Sequence, residues 1–318
     1  MDRLDHQILH ALGINGRVSF RRLAVALGAT EHTVARRYRA LAERGVVRVV
    51  AMPTPHEGDM GQMLRLHVHP GSAARLADAL VRRDDVSWVR TAGAGSEIMC
   101  GVRAASAEQR DHLILDQLPR TGRVTRVVAY ELLHHHRTPG HADWEGFPDP
   151  LTERQRELVG PLPMPESAPR LAAQDWVLLD ALRHDARRSA ADLAAETNQP
   201  ESTVRRRLDI LLRSGAIYLD RDLDPVPLGF PVGATLHIDV EPRHLRAAGA
   251  ALARHAPTTF VAAVTGPVNL FAAVVTATIR DLYEYVSTTL ADLDGVTHIE
   301  TSLTGTYLKH ARVIRRPR

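Results

Sequence analysis

One pattern occurs twice in this chain at a constant spacing of 170 residues, and any fold it adopts must accommodate both copies. Asp5, Leu12, Ser19, Leu23-Ala24, Glu31, Thr33-Val34, Arg36-Arg37, Leu41 and Gly45 recur as Asp175, Leu182, Ser189, Leu193-Ala194, Glu201, Thr203-Val204, Arg206-Arg207, Leu211 and Gly215. An ungapped match across three helical periods points to duplication of a folding unit. A length of 318 residues with 44% apolar content suits two to four packed units rather than a disordered chain.

Residues 4–45 predict three short helices. Leu4, Ile8, Leu9 and Leu12 recur at helical spacing; Ser19 stands as N-cap before Leu23, Val25 and Leu27; Thr30 opens a helix carrying Val34, Tyr38 and Leu41, which Gly45 ends. Gly28-Ala-Thr30 and Asn198-Gln-Pro200 have the length and residues of a helix-turn-helix corner, with Pro200 suited to a first turn. The short apolar runs at 46–51 and 216–219 read as strands of a hairpin or a bridge to the next unit.

The period then changes to strand, helix, strand, strand, helix, strand. In the first copy these fall at 64–69, 73–83, 86–91, 98–104, 108–118 and 124–133, with Gly93-Ala-Gly95 as a turn; in the second at 235–240, 243–255, 260–264, 270–277, 281–293 and 296–303. The expected fold class is α+β, two copies of a helix-turn-helix domain followed by a ferredoxin-like βαββαβ domain. Helices cover one face of each sheet, so the other needs cover, and the sister sheet supplies it within the chain. The expected division is 1–50, 60–136, a Pro-rich connector at 137–172, 173–220 and 232–310.

The third helix of each copy carries the chemistry. A turn of about 100° per residue places Val34, Tyr38 and Leu41 on a buried stripe and His32, Arg36, Arg39 and Glu43 opposite, with Thr33 and Arg37 on the flanks. In the second copy Val204, Leu208 and Leu211 form the stripe, Ser202, Arg206 and Asp209 face outward, and Thr203, Arg205 and Arg207 flank them. Arginine forks bond guanine edges or phosphates, and short polar side chains near a helix start reach bases or backbone oxygens, so double-stranded DNA is the expected partner. Asp209 stands where the first copy has Arg39, which makes the two heads unequal.

Other signals narrow the function. The formal charge of +3 permits an acidic partner without requiring one, and the single cysteine, Cys100, excludes an intrachain disulfide or a multi-thiolate metal site. No apolar run of about 18 residues exists and the first residues lack a signal-peptide pattern, so the expected place is the cytoplasm, without membrane contact. His134-His-His136 and His141 do not make a metal site, because adjacent strand residues face opposite ways and no carboxylate or Cys spacing completes one. His67 and His69 share a strand face and read as packing residues, Asp5 and Asp175 as charges suited to a helix dipole, and Trp88 and Phe260 as plugs of a sheet layer. No metal or cofactor is expected.

The two helix-turn-helix segments, Asp5 through Gly45-Val-Val and Asp175 through Gly215-Ala-Ile, each followed by the βαββαβ pattern, resemble the leucine-responsive regulatory protein/AsnC family of transcription regulators. The resemblance covers nearly all of the chain except the connector, and differs from the family pattern in its covalent duplication. It implies a regulator that senses a small molecule, an amino acid or related metabolite, and that forms a homodimer or higher homo-oligomer. It also implies a ligand loop between the second and third strands, where the family carries Gly-x-x-Asp. Here the loops are Ala94-Gly95-Ser96-Glu97 and Thr265-Gly266-Pro-Val-Asn269, neither with the aspartate; their bland reading is a tight turn. The family likeness extends to two-module siroheme decarboxylases, with Asn269-Leu-Phe271 and His67, His69 or the triple histidine His134-His-His136 as the residues to consider, but outward arginines on both third helices favour a non-enzyme. A sensor or assembly module without DNA binding is the third alternative.

Overall fold

The computed structural model describes residues 1–54, 61–103, 108, 112–137, 144, 146–162, 168–310 and 313–314. The chain separates into two compact units, one of Met1–Gly58, Gly140–Asp143 and Phe147–Leu228, the other of Asp59–Pro139, Trp144–Gly146 and Gly229–Arg318.

The first unit holds both helical triplets: Arg3–Ile14, Phe20–Leu27 and Glu31–Glu43, then Ala173–Ala181, Ala190–Thr197 and Glu201–Arg213. Side-chain oxygens of Asp2, Ser19, Thr30 and Ser189 accept from the backbone N–H three residues on, satisfying donors that a helix start leaves open. Pro200 occupies the cap position itself, one residue before the expected first turn. Ile8, Leu9, Leu12, Leu23, Val34 and Leu41 are buried in the first triplet, and Leu178, Leu179, Leu193, Val204, Leu208 and Leu211 in the second.

The two short apolar runs are neither a hairpin nor a bridge. β1 (Val47–Pro53) pairs antiparallel with β6 (Ile217–Leu223), from Val47 opposite Leu223 to Pro53 opposite Ile217. The register is symmetric under the 170-residue offset: Arg48 faces Asp222, and the corresponding pair is Tyr218 facing Met52. The connector also does more than cross between modules. Its helix Glu153–Val159 is capped by Thr152, and Phe147, Leu151 and Val159 are buried. The Phe147 ring stacks on His10 at 5.3 Å, Leu151 N donates to His10 Nδ1 at 2.8 Å, and Asn15 donates to Gly160 O at 2.9 Å. The connector thereby completes the first triplet's core; its residues 163–167 lie outside the described residues.

In the second unit β2 (Gly61–Val68), β3 (Val86–Ala92), β4 (Glu97–Arg103) and β5 (Val124–Arg137) lie in the order β5-β2-β4-β3. β7 (Val232–Val240), β8 (Thr258–Val264), β9 (Leu270–Thr276) and β10 (Val296–His310) lie in the matching order β10-β7-β9-β8, and β11 (Val313–Ile314) adds to the end of β10. Ala73–Val81 with helical residues 112–120 packs on the first sheet, and Leu245–Leu252 with helical residues 279–290 on the second. Of the expected 98–104 strand and 108–118 helix, residues 104–107 and 109–111 lie outside the described residues.

The last strand of each copy is longer than its local pattern implied. β5 leaves β2 and continues along β8, with Leu132 opposite Val264 and His135 opposite Ala262; β10 leaves β7 and continues along β3, with Thr304 opposite Ala92. Each tail closes the open edge of the other sheet, so these strand edges are already paired. Between the sheets Met63, Met99, Val128, Tyr130, Val264, Val268 and Phe271 form a shared core, with Trp88 and Phe260 packed against it, so those two rings plug the sheet-to-sheet layer.

Gly101 in β4 shows how tight this layer is. A Cβ there would sit inside the Trp88 indole. Gly101→Ala is expected to cost about 1–3 kcal/mol in urea unfolding, since the ring has a packed core behind it; a loss of under about 0.5 kcal/mol would show that the indole moves freely.

Candidate nucleic-acid interface

The two third helices agree in exposure almost position by position. His32, Arg36 and Arg39 are exposed and Thr33 half-buried in the first; Ser202, Arg205 and Arg206 are exposed and Thr203 half-buried in the second. No hydrogen bond or ion pair among the described residues engages the side chains of Arg36, Arg39 or Arg206, which leaves three guanidinium groups pointing into water from two equivalent surfaces. The second helix is partly self-neutralised: Arg205 pairs with Glu201 one turn earlier, and Arg213 with Asp209 at 2.8 Å. Thr33 Oγ1 lies 2.9 Å from the capping hydroxyl of Thr30.

Arg37 and Arg207 differ from the surface role expected of them. Arg37 Nη1 donates to Asp2 at 2.7 Å and Asp5 at 2.9 Å, while Arg207 grips Asp175 with two bonds of 2.5 and 2.6 Å. The Asp175 side chain is 1% exposed and also caps Ala172 N at 2.8 Å. The Arg207 guanidinium holds its carboxyl below the usual carboxylate range, the capping N–H adding to the effect against the opposing cost of burial. Asp5 and Asp175 are therefore partners that pin the third helix to the first, in addition to sitting in a favourable helix dipole. Arg207 thus commits two arms of its fork, and Arg37 its Nη1, to carboxylates of the first helix or its cap.

The two triplets are joined by a reciprocal pair of arginines that periodicity does not single out. Arg17 donates to the carbonyls of Ala186 and, at 3.0 Å, Arg188; Arg187 donates to the carbonyls of Gly16 at 2.6 Å and Val18 at 2.9 Å. The 170-residue offset maps one set of contacts onto the other. Arg187 also lies against the Phe20 and Tyr38 rings, with centroid distances of 4.8 and 4.9 Å. The identity of Arg17 and Arg187 under the offset was the available signal; their loop position hid its meaning.

The two expected ligand loops are built differently. Gly93–Gly95 is a tight helical turn in which Ala94 itself takes φ of 54°, and Ala94 and Ser96 are exposed. Ser96 Oγ donates back to Gly93 O at 2.7 Å. Glu97 is buried and its carboxylate receives the Arg65 fork at 2.6 and 3.0 Å. In the second loop Glu131 N donates to Thr265 Oγ1 at 2.9 Å, and both ends of the Asn269 amide bond the Val240 backbone at 2.6 and 3.0 Å. Gly266, at φ of 109°, lies beside Tyr130. The polar side chains expected to meet a ligand at Glu97, Thr265 and Asn269 therefore serve sheet joints, because the strands need those bonds once buried.

Arg65 also bonds Glu300, and its two carboxylate partners neutralise it between the sheets. His237 is fully buried against Tyr130 and Phe271, and burial pushes its pKa down to about 4, so it is neutral at pH 7. His67 lies 3.6 Å from Glu97, whereas His69 is exposed beyond the end of β2 and does not share the strand face expected of it. His134 and His136 meet ring to ring at 4.7 Å on β5, and His141 lies outside the described residues. Among the described residues no group of three or more His, Cys, Asp or Glu is placed to hold a metal ion, and no helix is long and apolar enough to cross a membrane. Cys100 is buried in the first sheet's core, which pushes its thiol up to about 12.

Family models match both ends of this architecture. The AsnC-type helix-turn-helix domain matches residues 1–42 and 172–212, and the Lrp/AsnC ligand binding domain matches residues 233–314. An uncharacterised HTH-type transcriptional regulator from Pyrococcus abyssi (strain GE5 / Orsay) is 32% identical over 130 residues, 41% of this chain and 82% of that protein. A second such regulator, from Pyrococcus furiosus, is also 32% identical over 130 residues, 41% of this chain and 88% of its own length. Among solved structures, the siroheme decarboxylase NirDL in co-complex with an iron-uroporphyrin III analogue superposes with a TM-score of 0.60 at 13% identity, covering 95% of this chain and 91% of the other. At that identity the likeness concerns the fold alone.

Proposed function

The chain belongs to the Lrp/AsnC family of helix-turn-helix transcription regulators, and from that premise we propose that it is a tandem duplicate in which one chain supplies both halves of a DNA-binding pair. The matching strand orders, the offset-symmetric register of β1 and β6, and the reciprocal Arg17 and Arg187 contacts support duplication with ferredoxin-like halves. The division into 1–50, 60–136, 137–172, 173–220 and 232–310 is part of this proposal, with the connector assigned to the first head's core.

The observation that carries the DNA reading is the set of outward guanidinium groups on Arg36, Arg39 and Arg206, joined by His32, Thr33, Ser202, Thr203 and Arg205 on the same surfaces. Two unequal heads fit an imperfect palindrome with half-sites about one helical turn, or a multiple, apart. Gel-shift titration against genomic fragments tests it. Arg36→Ala and Arg206→Ala are each expected to weaken binding about fivefold to a hundredfold with the circular dichroism unchanged, and affinity should fall by roughly an order of magnitude or more between 50 and 200 mM salt. Equal affinity for the Arg36→Ala/Arg39→Ala/Arg206→Ala triple variant at moderate salt would sink the assignment.

The ligand-binding domain supports response to a small molecule, an amino acid or related metabolite, with the backbone around Ala94, Gly95 and Ser96 as the more open loop. Association into a homodimer or larger homo-oligomer goes with the family, through faces other than the paired strand edges. The fold likeness to a siroheme decarboxylase favours a second reading, an enzyme on this scaffold. Against it, Arg65 is neutralised internally by Glu97 and Glu300, which weakens a site for a carboxylate-rich tetrapyrrole. A saturable Soret shift on mixing with siroheme would favour the enzyme.

A further inference from the structure

The two heads differ in charge where the second helix of each triplet begins. Phe20–Leu27 carries Arg21 and Arg22 in its first turn and no acid there; its sister Ala190–Thr197 has Ala191 and Asp192 at the matching positions, and Glu196 where the first has Ala26. A helix start bears partial positive charge, so Asp192 suits it and the two arginines oppose it. Local helix stability therefore accounts for Asp192 and not for Arg21. An anion from outside the chain is the partner that Arg21 fits: it is exposed, and no hydrogen bond or ion pair among the described residues engages its guanidinium.

Arg22 is exposed as well but donates from Nε to Leu158 O at 2.5 Å, so the connector takes part of its fork. In the sister helix Asp192 accepts from its cap Ser189 at 2.6 Å and stays exposed, and Glu196 pairs with Arg188. The third helices extend the contrast. Arg36 and Arg39 stand three residues apart on one exposed surface, so their fields add. In the second head Asp209 follows Arg206 by three residues and takes up Arg213, while Glu201 takes up Arg205. Across the second and third helices, the first head holds five arginines against two glutamates and the second holds four arginines against four acids.

In a helix-turn-helix motif the recognition helix enters the major groove and the helix before it crosses the phosphate backbone. Each phosphate contact made by an arginine releases counterions and adds to affinity whatever the base sequence. The first head offers Arg21, Arg36 and Arg39 to such contacts. The second offers Arg206, with Asp192 and Asp209 in the same motif repelling phosphate. Two heads of one fold thus differ in the sequence-independent part of their grip as well as in the side chains that reach bases.

We infer that the chain sits on its DNA in a single orientation, anchored by the first head with Arg21 as a phosphate-binding residue, while the second head is held more weakly. The duplex it fits has one strict half-site, which the first head occupies, and one tolerant half-site beside it. This rests on the DNA reading proposed above and adds a direction to it.

Gel-shift titration of the full chain on a duplex selected by the wild type from random-sequence DNA tests it. Arg21→Ala is expected to weaken binding about threefold to tenfold and to lower the salt slope by about one, the loss of one phosphate contact. Its urea midpoint should not fall, because the side chain opposes the helix dipole. Arg36→Ala should cost about fivefold more affinity than Arg206→Ala, and Asp209→Arg, which installs the sister residue, should tighten binding about threefold or more. For orientation, Ala40→Cys and Ile210→Cys place a thiol at exposed sister positions, while Cys100 is buried and stays unlabelled. Iron–EDTA attached at these two positions should cut opposite ends of the duplex, each conjugate one end only. Cutting of both ends by each conjugate, equal losses from Arg36→Ala and Arg206→Ala, or an unchanged salt slope for Arg21→Ala overturns the inference and leaves the DNA reading intact. Failure of the wild type to bind any duplex overturns both.

Discussion

Arg187→Ala is expected to destabilise the helical unit by about 3 kcal/mol, somewhat below the roughly 4 kcal/mol to which the lower figures for its separate contacts sum, because neighbouring contributions are not additive. The guanidinium donates to two backbone carbonyls of the other triplet and lies against two aromatic rings. Charge-assisted bonds of this kind contribute about 1.5–3 kcal/mol each, and ring contacts about 0.5–1 kcal/mol where water has access. Deleting the side chain leaves the Gly16 and Val18 carbonyls without that partner. Arg17→Ala should cost less, because its offset-related surroundings replace Phe20 and Tyr38 by Ala190 and Leu208. Lysine should restore little at either position, since a point charge on a flexible stem does not span two carbonyls as a planar fork does. Urea unfolding of the single variants and of Arg17→Ala/Arg187→Ala measures this. A midpoint for Arg187→Ala within error of wild type would show that β1 and β6 alone hold the heads together. If the two third helices meet DNA as proposed, the double variant should tolerate changes in half-site spacing better than the wild type, because the Arg17 and Arg187 contacts join the two triplets.

Arg207→Ala should have a comparable or larger effect by another route. Asp175 is 1% exposed and receives both arms of Arg207, so the variant strands a buried carboxylate; breaking such a pair costs about 3–5 kcal/mol. The Arg207 side chain is 34% exposed, so water reaches part of the gap and the lower figure is expected. Arg37→Ala should be milder, since its partner Asp5 is 16% exposed and can be rehydrated at less cost. The pH dependence has a definite sign. The folded pKa of Asp175 is depressed below its unfolded value, so this pair contributes fully above about pH 4 and is lost as pH falls through the lowered folded value. Without Arg207 the folded pKa rises toward the unfolded value, so this carboxyl should contribute a smaller loss of stability on acidification in the variant than in the wild type. Urea midpoints between pH 3 and 7 distinguish the curves; parallel curves would mean that the capping N–H of Ala172 alone sets the Asp175 pKa. Any DNA-binding defect of Arg207→Ala would come with lost stability, unlike that of Arg206→Ala.

The helical triplets were legible because their information is local. Ser19 and Thr30 cap where their side chains are expected to, Val34, Tyr38 and Leu41 are buried, and Arg36 and Arg39 are exposed, since a 3.6-residue period fixes which side chains share a face. The same pattern did not reveal the carboxylate partners of Arg37 and Arg207. Angular position on a helix says which side chains can reach outward, but the partners that turn them inward, Asp5 and Asp175, lie 32 residues away. The partners of Glu97 and Asn269 were hidden for a related reason: a polar residue beside a turn looks available until the strand facing it is known.

From its own order of residues the chain dictated the doubled helix-turn-helix, the alternation of strand and helix that follows, and the outward arginines, because periodicity and capping depend on neighbours within a few positions. Packing in three dimensions alone decided that β1 meets β6, that β5 and β10 carry their tails onto the opposite sheet, and that Arg17 and Arg187 lock the triplets. These contacts join segments separated by more than a hundred residues, where backbone donors and acceptors are chemically alike and only the geometry of the assembled core selects among them.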